Sequence, residues 1–223
     1  MSDDPQYGAH EGRPVLRAGA APGEAAAAVV LAHGRGGDPE DMLGLAEHLW
    51  VPGAAFLAPE AAGHTWYPNG FLAPLAANEP WLSSALRLIG DTVASLDEEG
   101  VPPERVMLLG FSQGACLVLE HAARNARRYG AVVGFTGGLI GPPGTPRDYS
   151  GTLGGTPVFL GSGDPDPHVP WARVEETADV LRRMGAEVTA RRYPGMPHTV
   201  NEEELAAARA LLAALVTPAA GSR

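Results

Sequence analysis

Ser112 lies in the run Leu109-Gly110-Phe111-Ser112-Gln113-Gly114-Ala115, which reads Gly-x-Ser-x-Gly. The apolar run Val106-Met107-Leu108-Leu109 precedes it, and a helix-like stretch from Ala115 to Ala123 follows. A serine on a sharp strand-to-helix turn stands exposed above a sheet at a helix N-terminus, where it can act as a nucleophile. Such a turn strains the serine backbone and leaves room only for glycine two residues to either side. Glycine makes up 29 of the 223 residues, so the pentapeptide alone carries little weight. Its strand–turn–helix setting and its partners elsewhere in the chain decide its meaning.

A serine nucleophile needs a base to take its proton, and the base needs an orienting carboxylate. On a sheet of this kind the chain order is Ser, then Asp or Glu, then His. His121, His168 and His198 lie downstream of Ser112. His121 falls two turns into the following helix and cannot fold back. His198 sits in Pro194-Gly195-Met196-Pro197-His198-Thr199-Val200, between the last strand and the last helix, which is where the base is needed. His168, in a proline-rich loop, is the rival. That loop, Gly161 to Pro170, also offers two acids, Asp164 and Asp166, and both qualify.

The Asp164-x-Asp166-x-His168 spacing also has metal-ligand types. A proline-laced loop converges poorly on an ion and no second cluster accompanies it, so no metal is expected. A tetrahedral intermediate needs two backbone N–H donors for its oxyanion. Gln113 supplies one. The loop Leu31-Ala32-His33-Gly34-Arg35-Gly36-Gly37-Asp38 supplies the other, with Arg35 as the donor. Its glycines let the backbone approach the substrate closely, and it lacks the spacing of a phosphate-binding loop. His33 is expected to buttress this loop.

These residues need a scaffold that brings distant segments together. Strand-like runs fall at 28–32, 54–58, 106–111, 131–135, 157–160 and 187–193. Most are uniformly apolar, as in parallel strands covered on both faces. The last alternates and carries Arg191 and Arg192, which marks an exposed edge. Helical stripes lie between them: Met42, Leu45 and Leu49 after Asp38-Pro39; Leu82, Leu86, Ile89, Val93 and Leu96; Trp171, Val174, Ala178, Leu181 and Met184. A last helix opens at Asn201-Glu202-Glu203-Glu204, a cap followed by acids, with Leu205, Ala208, Leu211, Leu212 and Leu215 as its buried face. This alternation predicts a single-domain α/β fold over 25–216 with a doubly wound, mostly parallel sheet. Ligands bind such sheets at the carboxyl ends of the strands, where the candidate residues fall. Residues 1–24 read as a loose arm with a short extended piece at Val15-Leu16, and 217–223 as a flexible tail.

Composition narrows the chemistry. All 16 basic residues are arginine, so lysine-dependent chemistry is excluded: Schiff bases, pyridoxal phosphate, phosphate-loop and Ser–Lys sites. The formal charge of −10 argues against nucleic acid and anionic membranes as partners. The one cysteine, Cys116, rules out an intramolecular disulfide and fits a reducing cytoplasm. It lies within the helix, not at the turn, and reads as a buried small hydrophobe. No run is long enough to span a bilayer, and the acidic start is unlike a signal peptide.

Four motifs in order, His33-Gly34-x-Gly36-Gly37, Gly110-Phe111-Ser112-Gln113-Gly114, Asp166-Pro167-x-Val169-Pro170 and Gly195-Met196-x-His198, resemble the phospholipase/carboxylesterase family of α/β-hydrolases, bacterial relatives of acyl-protein thioesterases. The resemblance spans about residues 28 to 215. It places the acid at Asp166 and implies hydrolysis of carboxylic esters or thioesters without a cofactor. It is also compatible with a homodimer. Trp66-Tyr67 and Asn78-Glu79-Pro80 resemble a bacterial branch that is also similar to dienelactone-hydrolase-like proteins; dienelactone hydrolases proper use a cysteine nucleophile where Ser112 stands.

The expected activity is therefore a carboxylesterase acting on small ester substrates through Ser112, Asp166 and His198. Thioesterase or lysophospholipase specialisation, a non-catalytic binding protein and a metal-dependent hydrolase are the alternatives. Two loops, 59–80 and 137–155, are expected to overhang the serine without forming a cap domain. They would supply Trp66, Phe71, Leu72, Leu139 and Ile140 to an open apolar pocket for short or medium acyl groups, with Met196 beside the base. The Arg35 side chain would favour substrates with an acidic group.

Overall fold

The computed structural model describes residues 8–217. Seven strands form one sheet: β1 (Val15–Gly19), β2 (Ala27–Ala32), β3 (Ala54–Pro59), β4 (Val106–Phe111), β5 (Ala131–Phe135), β6 (Pro157–Asp164) and β7 (Glu187–Pro194). Their order is β1-β3-β2-β4-β5-β6-β7. β1 pairs antiparallel with β3, and the other neighbours are parallel.

The interior strands β2 to β5 are almost wholly apolar because both faces are covered. Along β2, Ala28, Val30 and Ala32 belong to the core on one face, and Ala27, Val29 and Leu31 to the core on the other. Helices α2 (Trp81–Glu98), α3 (Gln113–Arg124) and α4 (Trp171–Arg183) pack on the first face; α1 (Pro39–His48) and α5 (Glu202–Val216) pack on the second. The expected stripe on α2 is buried in full: Leu82, Leu86, Ile89, Val93 and Leu96. On α5 the fully buried side chains are Glu204, Ala208 and Leu212, while Leu205, Leu211 and Leu215 are half-buried.

Helix starts are fixed by reciprocal caps. Asp38 accepts from the Asp41 N–H at 2.9 Å while Asp41 accepts from the Asp38 N–H, and Pro39 opens α1. Asn201 and Glu204 do the same for α5. β7 is the exposed edge expected of it, with Arg191 paired to Glu203 and Arg192 to Asp164.

The expectation of a loose N-terminal arm is corrected within the described residues. β1 adds to the sheet edge, and His10 is fully buried. The His10 N–H donates to Ser84 Oγ at 2.9 Å; its ring accepts from the Ala62 N–H at 3.0 Å and donates to the Trp66 carbonyl at 2.9 Å. Residues 1–7 lie outside the described residues, as does the expected tail beyond Thr217. Among the described residues no helix is long and apolar enough to cross a membrane.

Candidate active site

Ser112 joins β4 to α3 with φ 54° and ψ −116°, a left-handed conformation that is strained for serine. Its N–H donates to the Phe135 carbonyl at 2.9 Å, and its carbonyl accepts from the Cys116 N–H at 3.0 Å. The two flanking glycines are needed for space. A Cβ on Gly110 would stand 2.3 Å from the Gly114 backbone, and one on Gly114 would stand 2.1 Å from the Ala32 carbonyl oxygen. The hydroxyl does not cap its own helix, so it is available elsewhere.

It meets His198. Ser112 Oγ lies 2.8 Å from His198 Nε2, and His198 Nδ1 lies 2.8 Å from Asp166 Oδ2. An ionised carboxylate only accepts, so Nδ1–H donates to Asp166 and Nε2 is left to accept the serine proton. The Asp166 side chain shows no exposed surface. Burial alone would raise its pKa; the N–H groups of Val169 and His168, each donating to Oδ1 at 2.8 Å, and the His198 contact outweigh that and hold it below the usual range. Asp164 is not part of this chain, because it ends β6 and pairs with Arg192. His168 does not replace His198 but stands edge-on to it, with ring centres 4.8 Å apart. Phe111 flanks the same imidazole at 5.1 Å.

Arg35 and Gln113 both line the cavity beside Ser112. Gln113 is the first residue of α3, where an N–H has no carbonyl one turn earlier in the helix. In the Arg35 loop the N–H groups of Gly36 and Gly37 are taken by the carbonyls of His64 and Gly34. His33 steadies the loop from behind: buried, it accepts from the Ala61 N–H at 3.2 Å and donates to the Gly34 carbonyl at 2.7 Å. The Arg35 guanidinium turns to the opposite wall and donates to the carbonyls of Tyr67, Pro68 and Asn69. The Gln113 amide grips the same segment, accepting from the Trp66 N–H at 3.0 Å and donating to the Tyr67 carbonyl at 2.8 Å.

The cavity over Ser112 has a volume of about 350 Å³. Of the side chains expected in its wall, Phe71 is there; Trp66, Leu72, Leu139, Ile140 and Met196 are not. Trp66 is fully buried behind the Arg35 loop, its indole N–H donating to the His33 carbonyl at 2.8 Å. Leu72 is half-buried and packs on the core. Leu139 and Ile140 plunge below the site, because their N–H groups are claimed from within by Thr177 Oγ1 and by the buried Glu120 carboxylate. They help the site indirectly: the next N–H, of Gly141, donates to the Phe71 carbonyl at 2.7 Å. Met196 Sδ accepts from the Asn201 amide and faces α5.

Tyr67, Phe111, Cys116, His168 and Val169 take their places in the wall. Among the described residues the buried Tyr67 hydroxyl has no hydrogen-bond partner, and burial beside the Cys116 thiol holds its pKa well above the phenol value. Burial pushes the Cys116 thiol up to about 12, so it is not a nucleophile at neutral pH. No group of three or more His, Cys, Asp or Glu side chains among the described residues is placed to hold a metal ion.

Known proteins resemble this chain in sequence and in fold. Acyl-protein thioesterase 1 of Gibberella zeae is 32% identical over 126 residues, 54% of this chain and 52% of that protein. A probable carboxylesterase of Arabidopsis thaliana, SOBER1-like, is 28% identical over 136 residues, 59% of this chain and 52% of that protein. The chain thus spans about half the length of the curated relatives it matches. The crystal structure of a phospholipase/carboxylesterase from Dyadobacter fermentans superposes with a TM-score of 0.86 at 43% identity, covering 90% of this chain and 96% of that one. The family model described as Phospholipase/Carboxylesterase matches residues 18–216, and the chain belongs to that family of α/β-hydrolases.

Proposed function

We propose that this protein is a serine carboxylesterase that cleaves short- to medium-chain carboxylic esters through an acyl-enzyme on Ser112. The observation that carries the reading is the unbroken hydrogen-bonded chain from Asp166 through His198 to Ser112 Oγ, each link 2.8 Å. His198 Nε2 takes the Ser112 proton as Oγ attacks the carbonyl carbon. Asp166 holds the imidazole in the required tautomer and balances its charge. The N–H groups of Arg35 and Gln113 receive the oxyanion; one such donor is worth about 100–1000-fold in rate. His198 then gives its proton to the leaving oxygen, and water, deprotonated by the same imidazole, hydrolyses the acyl-enzyme. A cavity of about 350 Å³ bounded by Phe71, Cys116 and Val169 suits a short or medium acyl chain.

A thioester is the second substrate class, favoured by the relatives named as acyl-protein thioesterases. The test is fluorophosphonate labelling together with turnover of p-nitrophenyl esters from acetate to laurate and of a butyryl thioester. Labelling and turnover are expected in the wild type and absent in Ser112→Ala. A folded wild type that neither labels nor turns over any of them would refute the proposal. A larger kcat/KM for the thioester than for its oxygen counterpart would move the assignment to thioesterase.

A further inference from the structure

Two cavities share His198 in their walls, together with Gly34, Arg35 and Phe111. The one of about 350 Å³ has Ser112, Gln113 and Cys116 in its wall. The other, about 530 Å³, runs between α1 and the start of α5 and is bounded by Met42, Leu45, Phe111, Val200 and Leu205. His198 lines both, but Ser112 lines only the first. Phe111, 5.1 Å from the imidazole, belongs to both and stands as the partition.

We propose that the larger cavity is the leaving-group site, built for the alcohol portion of the ester and selective for bulky apolar alcohols. The inference rests on the serine mechanism above and assigns a second half of the substrate to it. In acylation the bond from Ser112 Oγ to the carbonyl carbon forms and the bond from that carbon to the alcohol oxygen breaks. The proton leaves Ser112 Oγ for His198 Nε2 and passes to the departing oxygen. That oxygen must stand beside His198 Nε2 while the carbonyl oxygen faces Arg35 and Gln113. The acyl group stays bonded to Ser112 after the alcohol has gone, so it belongs in the cavity whose wall includes Ser112. The cavity that His198 reaches without Ser112 is left for the alcohol.

Its chemistry follows from its wall. Met42, Leu45, Val200 and Leu205 offer an apolar surface. At its rim the Asp41 carboxylate and the Arg35 guanidinium carry opposite charges, so the selectivity lies in the apolar wall. The larger volume on the histidine side admits an alcohol bulkier than the acyl group on the serine side.

The test fills and empties the cavity from α1, where Leu45 is half-buried in the cavity wall and takes no part in the hydrogen-bonded chain. Ethyl butyrate and 2-naphthyl butyrate share an acyl group and differ in the alcohol. Leu45→Trp is expected to lower kcat/KM for the naphthyl ester by about tenfold or more and to leave the ethyl ester within about twofold. The acyl-length profile across p-nitrophenyl esters keeps its shape, because the alcohol there is constant. Leu45→Ala should move the naphthyl-to-ethyl ratio the opposite way, which guards against a Trp variant that fails to fold. Equal losses on both esters, a shifted acyl-length profile, or no change in either variant would overturn the assignment. Undiminished turnover in Ser112→Ala would instead remove the serine mechanism on which it rests.

Discussion

Replacing Glu204 by glutamine should make the protein more stable at pH 8 and flatten its stability between pH 5 and pH 8. Glu204 is fully buried in the first turn of α5. Its Oε2 accepts the Asn201 N–H at 2.9 Å, while Oε1 has no hydrogen-bond partner among the described residues. Oε1 packs so close to β6 that a Cβ on Gly161 would stand 2.1 Å from it. Burial pushes this carboxyl from its ordinary 4.5 to about 7, with the Asn201 N–H pulling back. The ionisable groups facing it do not help. Tyr193 on β7 is a neutral phenol near pH 7, raised by burial and by Glu204 itself, and Arg191 is paired with Glu203.

The folded state therefore holds this proton more tightly than the unfolded chain. Its contribution is fully present below about pH 4.5 and is lost as the pH rises through 7. At about 1.36 kcal/mol per tenfold in proton affinity, ionising Glu204 costs about 3 kcal/mol of stability above pH 7. The positive end of α5 offsets at most about 1 kcal/mol of that. Urea unfolding of both proteins at pH 5 and pH 8 reads the effect. Relative to wild type, Glu204→Gln should gain about 2–3 kcal/mol between those pH values. All other groups are common to both proteins and cancel in the difference. Glutamine can still accept from the Asn201 N–H, so the His198 loop stays anchored and turnover at pH 7 should remain within about twofold. Parallel pH curves for the two proteins would refute the reasoning.

Asp166→Asn should lower kcat on p-nitrophenyl butyrate by about 10³–10⁴-fold while the protein stays folded at the assay temperature, because an amide favours the wrong imidazole tautomer; a loss below about tenfold would make Asp166 a loop anchor only. Trp66→Ala and Phe71→Ala should part company. The buried Trp66 ring, 4.8 Å from His33, costs about 3–5 kcal/mol of stability when removed, whereas Phe71→Ala shifts acyl preference toward longer chains at a smaller cost; unfolding curves and the p-nitrophenyl series separate the two. Cys116, 1% exposed and with its thiol pushed up to about 12, should resist a disulfide reagent in the folded protein and react stoichiometrically in urea. Fast native labelling would place it at the surface.

The interior of the sheet was legible because both faces are covered: residues of β2 alternate between two cores, so the strand is apolar without alternation. β1 was harder to read because it is a short edge strand of half-buried and exposed residues with no pattern to betray it. The order Ser, Asp, His was legible, since each lies just beyond a strand. The choice between Asp164 and Asp166 was not legible from residue types alone. Asp164 is still strand, aligned with Pro194 and turned to Arg192, whereas Asp166 lies in the turn where two backbone N–H groups hold it. The pocket wall was read least well. An apolar pair such as Leu139-Ile140 looks the same whether it overhangs a site or plunges beneath it. What sends it down is Glu120, far away in sequence, offering a buried acceptor to the Ile140 N–H. Trp66 and Tyr67 are adjacent aromatics, and only the Trp66 hydrogen bonds to His33 and Gln113 decide that Tyr67 faces the cavity.

The strain at Ser112 and the availability of its hydroxyl have one cause. A serine just before a helix ordinarily takes an extended conformation and gives its oxygen to an N–H of the first turn. At φ 54° that geometry is lost, and no side-chain cap forms at α3. The uncapped turn costs about 1 kcal/mol and the backbone conformation about 1–3 kcal/mol more. Neither relaxes, because the turn is pinned on three sides: the Ser112 N–H to Phe135, the Ser112 carbonyl to Cys116, and Gly114 against the Ala32 carbonyl with no room for a Cβ. The oxygen that would have capped the helix is left facing His198 Nε2. A single backbone distortion thus frees the nucleophile, and the glycines on either side are there to keep the distortion from relaxing.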